Sequence, residues 1–162
     1  MVAMTRSLPS LGPHGEGWLA IQVVLFLAIF GAGWLGPAWE GPARLIGAAV
    51  GLALIAAGGI LAVRAVFDLR HGLTPLPYPR PDASLVEAGA YRWVRHPIYT
   101  GLVVAGLGWG LATASPAAIA LDLVLLGFFD VKSRREEAWL VERYPGYAAY
   151  RRRTRRLVPF IY

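Results

Sequence analysis

The side chains best suited to chemistry in this 162-residue chain lie in two short clusters. One is Arg95-His96-Pro97-Ile98-Tyr99-Thr100-Gly101, where a basic loop runs into a long apolar segment. The other is Glu136-Glu137, just past the end of the next apolar segment. If those segments form a hairpin, both clusters meet at one end of it, at a lipid–water boundary. Pro97 favours a helix start, and the first turn of a helix carries unpaired N–H groups and the positive end of the dipole. Arg95 beside that turn makes a receptor for a carboxylate or a phosphate. Two adjacent glutamates on a helix point about 100° apart, so at most one faces a site squarely. An anion receptor next to carboxylates suits a zwitterionic ligand, such as a cofactor bearing an amino-acid group. The competing reading is topological: arginines flank membrane helices to set their orientation, and glutamates pair with them.

The elements that must position these clusters are apolar. Hydrophobic residues make up 56% of the chain and charged ones 16%, low for a soluble domain. Uncharged runs cover 17–39, 45–63 and 98–121, each long enough to cross a hydrocarbon core of about 30 Å. The third continues past Asp122 to Phe129, too far for one span, and Ser115-Pro116 divides it. The expectation is an all-α integral membrane bundle of about four transmembrane helices, over 17–36, 42–69, 98–114 and 116–131. A cytoplasmic C-terminal helical segment follows, running from Arg134 to Arg143, broken at Pro145-Gly146 and resumed at Tyr147. The chain reads as a single domain, with residues 1–72 as N-terminal spans and 73–162 as the functional part.

The net charge is +6, almost all of it from arginine. Nucleic-acid binding is one use of such a balance. Here the arginines cluster beside apolar spans, in 64–95 and after Phe129, which follows the positive-inside rule. Both termini and the site are then cytoplasmic, and the run Arg151–Arg156 suits anionic headgroups. Absence of cysteine excludes disulfides and thiolate chemistry. His14, His71 and His96 are too scattered for a metal cage, so no metal is expected. Gly47, Gly51, Gly58 and Gly59, and Gly106, Gly108 and Gly110, read as helix-packing positions. Asp122 reads as a structural acid near the far interface or between helices. Pro75, Pro77, Pro79 and Pro81 impose an extended path that is either a linker or a wall of the site.

Arg95-His96-Pro97-x-Tyr99-x-Gly101, then Glu136-Glu137-x-x-Leu140, Tyr147-x-x-Tyr150 and Pro159-Phe160-Ile161 closely resemble the isoprenylcysteine carboxyl methyltransferases. Phospholipid N-methyltransferases and membrane thiol S-methyltransferases share parts of the pattern. The likeness covers about 73–162. It implies an all-helical integral membrane enzyme that uses S-adenosyl-L-methionine and methylates an apolar or lipidated acceptor. It places Val94, Arg95, His96, Pro97, Tyr99, Gly101, Glu136 and Glu137 in the cofactor pocket, with Tyr147 and Tyr150 helping to close it. Arg95, orienting a carboxylate, and Glu137 are the expected catalytic residues. Tyr144-Pro145-Gly146 stands where the prenylcysteine enzymes usually have Phe-Gly, and their additional N-terminal helices have no counterpart. A phospholipid amine or a small thiol is the alternative acceptor. A non-enzymatic assembly or lipid-binding module, or a small transporter, accounts for the spans and arginines but not for the motif spacing.

Overall fold

The computed structural model describes residues 11–36, 39–69, 74, 76 and 83–158. The expectations for residues 1–10, His71, most of the proline-rich stretch and Pro159–Tyr162 lie outside them. The described residues form five α-helices: α1 (Glu16–Ala32), α2 (Gly41–Leu69), α3 (Pro97–Ala112), α4 (Pro116–Arg143) and α5 (Tyr147–Arg153). A 3-10 turn, Gly89–Arg92, precedes α3. Among the described residues there is no strand, only an isolated parallel bridge between Val94 and Arg155.

Proline sets three of the boundaries. Pro97 and Pro116 occupy first-turn positions, where a missing N–H costs no helical hydrogen bond. Tyr144, just before Pro145, is extended, as a residue before proline prefers, and it ends α4. The apolar stretch over 98–130 is therefore a hairpin of two helices. Ser115 fixes its turn from both sides, accepting from the Ala118 N–H at 3.2 Å and donating to the Ala32 carbonyl at 2.8 Å. Trp109 Nε1 likewise donates to the Ile29 carbonyl at 3.2 Å. These bonds add a second donor to the Ile29 and Ala32 carbonyls, which also accept from the Gly33 and Leu35 N–H groups at 3.3 Å.

The helices do not pack in chain order. α2 and α3 lie antiparallel along their length, α4 packs on α3, and α1 docks on α4 rather than on α2. Glycine makes the α2–α3 contact possible. Gly51 sits against Gly108, and Gly58 against Gly101, seven residues apart on each helix. A methyl group at Gly101 would lie 2.5 Å from the Gly58 carbonyl oxygen and 2.8 Å from the Ala62 nitrogen, so the backbones touch. The core between α1, α3 and α4 holds Ile29, Leu125 and Phe129, with Tyr99, Leu102 and Trp109 packed on it. Asp122 is buried in α4 with its carboxylate against Gly106 of α3, and its Oδ1 accepts no hydrogen bond among the described residues.

By length and composition α2 is able to cross a membrane, yet only 11% of its most apolar stretch is buried in the protein. Leu52, Ile60, Val63 and Phe67 on α2, and Val24 and Leu27 on α1, are exposed apolar side chains. α1 and α3, at 17 and 16 residues, are shorter apolar helices. α4 changes from apolar to charged along its 28 residues.

Gly58 and Gly59 provide a matched test. A Cβ at Gly58 meets α3 backbone, whereas Gly59 faces open space. Gly58→Ala is expected to destabilise by about 1–3 kcal/mol through overpacking. Gly59→Ala is expected to be neutral or to stabilise by up to about 1 kcal/mol through helix propensity. Thermal unfolding of the two variants in one detergent measures the difference.

Candidate active site

The two clusters meet at the charged end of the α3–α4 hairpin. Arg95 Nε donates to Glu137 Oε1 at 2.7 Å, and both side chains are almost completely buried. The same guanidinium reaches the C-terminal segment, where Nη1 donates to the Thr154 carbonyl at 2.5 Å and the Arg151 carbonyl at 3.2 Å. Backbone hydrogen bonds run alongside, from Arg95 N–H to the Arg155 carbonyl at 2.8 Å and from His96 N–H to the Arg156 carbonyl at 3.1 Å. Thr100 Oγ1 adds a bond to the Leu157 carbonyl at 2.6 Å. The start of α3, the end of α4 and the chain after α5 thus form one hydrogen-bonded unit.

His96 lies between the two glutamates. Its Nδ1 is 3.3 Å from Glu136 Oε2, and its Nε2 is 3.3 Å from Glu137 Oε1. Both ring nitrogens face carboxylates, which favours the doubly protonated imidazolium. Burial alone would push its pKa down; the hydrogen bonds and charges of Glu136 and Glu137 outweigh burial and raise it. Burial likewise works to raise the pKa of Glu137, but His96 and Arg95 overcome it and hold the carboxyl down at about 2. Arg156 and Arg151, each 3.4 Å away, complete a ring of cations around Glu137.

The two glutamates therefore divide the work. Glu137 is 2% exposed and lies behind the wall of the site, a permanent anion that holds the cluster together. Glu136 faces a cavity of about 340 Å³, accepting a hydrogen bond from the Tyr99 hydroxyl and facing His96. That volume falls within the range of small-molecule sites, about 300–1,000 Å³. Tyr99 is clamped between rings, stacked on Phe129 at 4.2 Å and on His96 at 5.5 Å. Tyr147 and Tyr150 also line the cavity. Tyr150 is held by a 2.7 Å bond from its hydroxyl to the Tyr91 carbonyl. The buried Tyr147 hydroxyl has no hydrogen-bond partner among the described residues. Burial pushes its pKa well up, so at neutral pH it is a donor.

The remaining expected site residues lie behind the cavity or away from it. Val94 is buried in the bridge to Arg155, and Pro97 is buried at the start of α3. Gly101 faces α2 instead of the cavity. Arg95 borders the cavity, but its Nε and Nη1 are committed to Glu137 and to two carbonyls. Its guanidinium acts there chiefly as an internal clamp, in contrast to the open anion receptor expected from sequence. The terminal arginine run is also partly internal, with Arg156 3.1 Å from Asp130.

Other residues of the site escaped sequence reasoning. Asp68, at the end of α2, accepts from Ala90 N–H at 2.9 Å and seats the 3-10 turn ahead of Arg95. Gly89, at φ 61°, leaves room for that carboxylate. Lys132 is 1% exposed and lines the cavity. Its signal was its place four residues before Glu136, on the same helix face.

Known proteins resemble this chain in sequence and in fold. The model of the phospholipid methyltransferase family matches residues 46–146. The chain belongs to the phospholipid methyltransferase family. It is 31% identical over 115 residues to protein-S-isoprenylcysteine O-methyltransferase B of Arabidopsis thaliana, covering 68% of this chain and 58% of that protein. It is 35% identical over 81 residues to the cobalt-zinc-cadmium resistance protein CzcN of Cupriavidus metallidurans, covering 49% of this chain and 38% of that one. The solved structure of the eukaryotic intramembrane Ras methyltransferase ICMT, isoprenylcysteine carboxyl methyltransferase, aligns with a TM-score of 0.68 at 24% identity. It covers 93% of this chain and 55% of that one, and shows that the two share a fold. The chain thus spans about half the length of the proteins it matches. The matched family region includes both clusters, Arg95–Gly101 and Glu136-Glu137.

The charge state of His96 sets a pH dependence. Its folded pKa is raised above the ordinary value of 6.5. Its contribution to stability is therefore full below about pH 6.5 and is lost as pH rises through the folded value. The melting temperature in detergent is expected to fall across that alkaline window, and His96→Gln to flatten the fall. A profile unchanged by the substitution would contradict this assignment. Glu137, depressed from 4.5 to about 2, contributes in full above its ordinary value, and that contribution is lost progressively as pH falls from there through the folded value.

Proposed function

We propose that this chain is an S-adenosylmethionine-dependent membrane methyltransferase acting on an apolar or lipidated acceptor, in the manner of isoprenylcysteine carboxyl methyltransferases. The supporting observation is the mixed lining of the cavity. Polar His96, Glu136 and Tyr147 line it together with apolar Val66, Ile98 and Leu102. A polar cofactor and an apolar acceptor each find matching groups there. The bundle crosses the membrane with four helices, α1 to α4. Both termini and the site lie on the cytoplasmic side, where Arg64, Arg92 and the arginines after Phe129 gather.

The residues present fit the cofactor. The unpartnered Tyr147 hydroxyl offers a donor, Glu136 offers a carboxylate for an ammonium or for ribose hydroxyls, and tyrosine rings offer flat apolar faces. His96, Tyr99, Glu136, Tyr147 and Tyr150 would hold it, with Val94, Pro97 and Gly101 shaping the backbone behind them. Arg95 and Glu137 orient these groups from below. When bound, S-adenosylmethionine supplies a methyl group on a positively charged sulfur.

The chain's own part is to bind, orient and exclude water. Tyr99 and His96 fix the carboxylate of Glu136, the negative group best placed to face a cation. α5 and the apolar lining keep water from stabilising separated charges, which favours a displacement that consumes charge. A carboxylate or thiolate acceptor needs no base. For an amine acceptor, Glu136 is the group able to take the proton, since Glu137 is held ionised among cations.

Calorimetric titration with S-adenosylhomocysteine tests the reading. The purified wild type is expected to bind one equivalent. Glu136→Gln is expected to weaken binding at least tenfold, about 1.4 kcal/mol. Tyr147→Phe is expected to remove about 1 kcal/mol. A folded, monodisperse wild type that binds nothing would reject it.

A further inference from the structure

Lys132 is a buried cation that the cofactor site does not use. It is 1% exposed, near the point where α4 turns from apolar to charged, and it borders the cavity. Its Nζ donates to Gln22 Oε1 at 2.6 Å and lies 5.1 Å from the centre of the Tyr99 ring. Among the described residues Gln22 is its one hydrogen-bond partner, and no carboxylate comes within ion-pair distance. Burying an ammonium without an anion is expensive, and ionisable groups at membrane depth mark ligand paths. The two glutamates nearby are already paired with other cations, Glu137 with Arg95 and Glu136 with His96. Lys132 is thus a cation of the inner cluster without a carboxylate partner among the described residues.

Gln22 supplies an independent observation. It is the one amide side chain of α1, a helix apolar apart from it and Glu16 in the first turn, and it faces the same cavity. Its oxygen is taken by Lys132, which leaves the amide N–H groups as donors. An ammonium and an amide side by side, with Tyr99 below, present donors and positive charge.

Resting on the reading proposed above, we infer that Lys132 and Gln22 form an anion subsite that holds the charged end of the methyl acceptor. A cation repels the sulfonium of the methyl donor and attracts either the donor's carboxylate or an anionic acceptor; depth favours the acceptor. Lys132 lies one helical turn, about 6 Å, closer to the lipid than Glu136. There the wall is Ile98 and Leu102, and an apolar chain arriving from the bilayer would present its polar end. The group recognised is a carboxylate or a phosphate attached to a single apolar chain. Lys132 acts as a positioning residue.

Calorimetry on the protein in phosphatidylcholine nanodiscs, saturated with S-adenosylhomocysteine, tests this directly. The probes are dodecylthioacetate, its primary amide and dodecyl phosphate, with empty nanodiscs subtracting partition. The wild type is expected to bind at least one anion tenfold or more tightly than the amide. The anion preferred identifies the source as a carboxylate acceptor or a phosphate headgroup. Lys132→Met is expected to abolish the preference and Lys132→Arg to keep it, with S-adenosylhomocysteine affinity within threefold of wild type in both. Gln22→Leu is expected to reduce the preference part-way. No preference in the wild type, or a preference that survives Lys132→Met, overturns the subsite. A tenfold loss of S-adenosylhomocysteine affinity in Lys132→Met also overturns it, by assigning the lysine to the cofactor or the fold. Failure of the wild type to bind S-adenosylhomocysteine instead defeats the methyltransferase reading, and the anion preference then remains a separate result.

Discussion

Arg95 and Glu137 meet at 2.7 Å in the interior, and most of what surrounds the cavity hangs on that contact. Two charges withdrawn from water lose several kcal/mol each in solvation, and their mutual attraction alone rarely restores it. The balance here comes from the rest of the network. His96, Arg156 and Arg151 face the same carboxylate, and the carbonyls of Arg151 and Thr154 take the guanidinium. The partners come from three parts of the chain. The pair thereby fastens the start of α3, the end of α4 and the chain beyond α5 into one body. Loss of Glu137 would leave the Arg95 guanidinium buried without its counter-ion, a penalty of about 3–5 kcal/mol.

The apolar part of the molecule works by another rule. Hydrophobic burial gives helices no reason to associate in lipid, so close packing and interhelical hydrogen bonds must hold them. The glycine contacts at Gly51/Gly108 and Gly58/Gly101 bring α2 and α3 backbones together. The bonds from Ser115 and Trp109 tie the hairpin to the end of α1. This frame carries the charged cluster at one end. It also brings Gln22 of α1 to Lys132 of α4, although α1 and α4 are far apart in sequence.

Much of this was legible in the residues. Pro97, Pro116 and Pro145 mark helix boundaries through local backbone constraints, which sequence states directly. The hairpin follows from the length of the apolar stretch, and with it the meeting of Arg95 with the glutamates. The angle between adjacent helical positions implied that one glutamate would face the site. Which one depends on how α4 is rotated against α3, a tertiary fact, and Glu136 rather than Glu137 proved to face the cavity. Lys132 looked like one more cation at a membrane boundary, because its burial requires Gln22 and Tyr99 to be in place. Asp68 seats the turn before Arg95 by a backbone bond that no spacing announces. The docking of α1 on α4 instead of on its sequence neighbour α2 also belongs to packing.

The central claim is that the Arg95–Glu137 pair acts as a unit in holding the cofactor site. A double-mutant cycle tests it most directly, with S-adenosylhomocysteine affinity measured for wild type, Arg95→Met, Glu137→Gln and the double variant. Each single change is expected to weaken binding at least tenfold, and the double to lose no more than the worse single, a coupling above about 1.4 kcal/mol. Losses that simply multiply, or single variants that bind like wild type, would contradict the account.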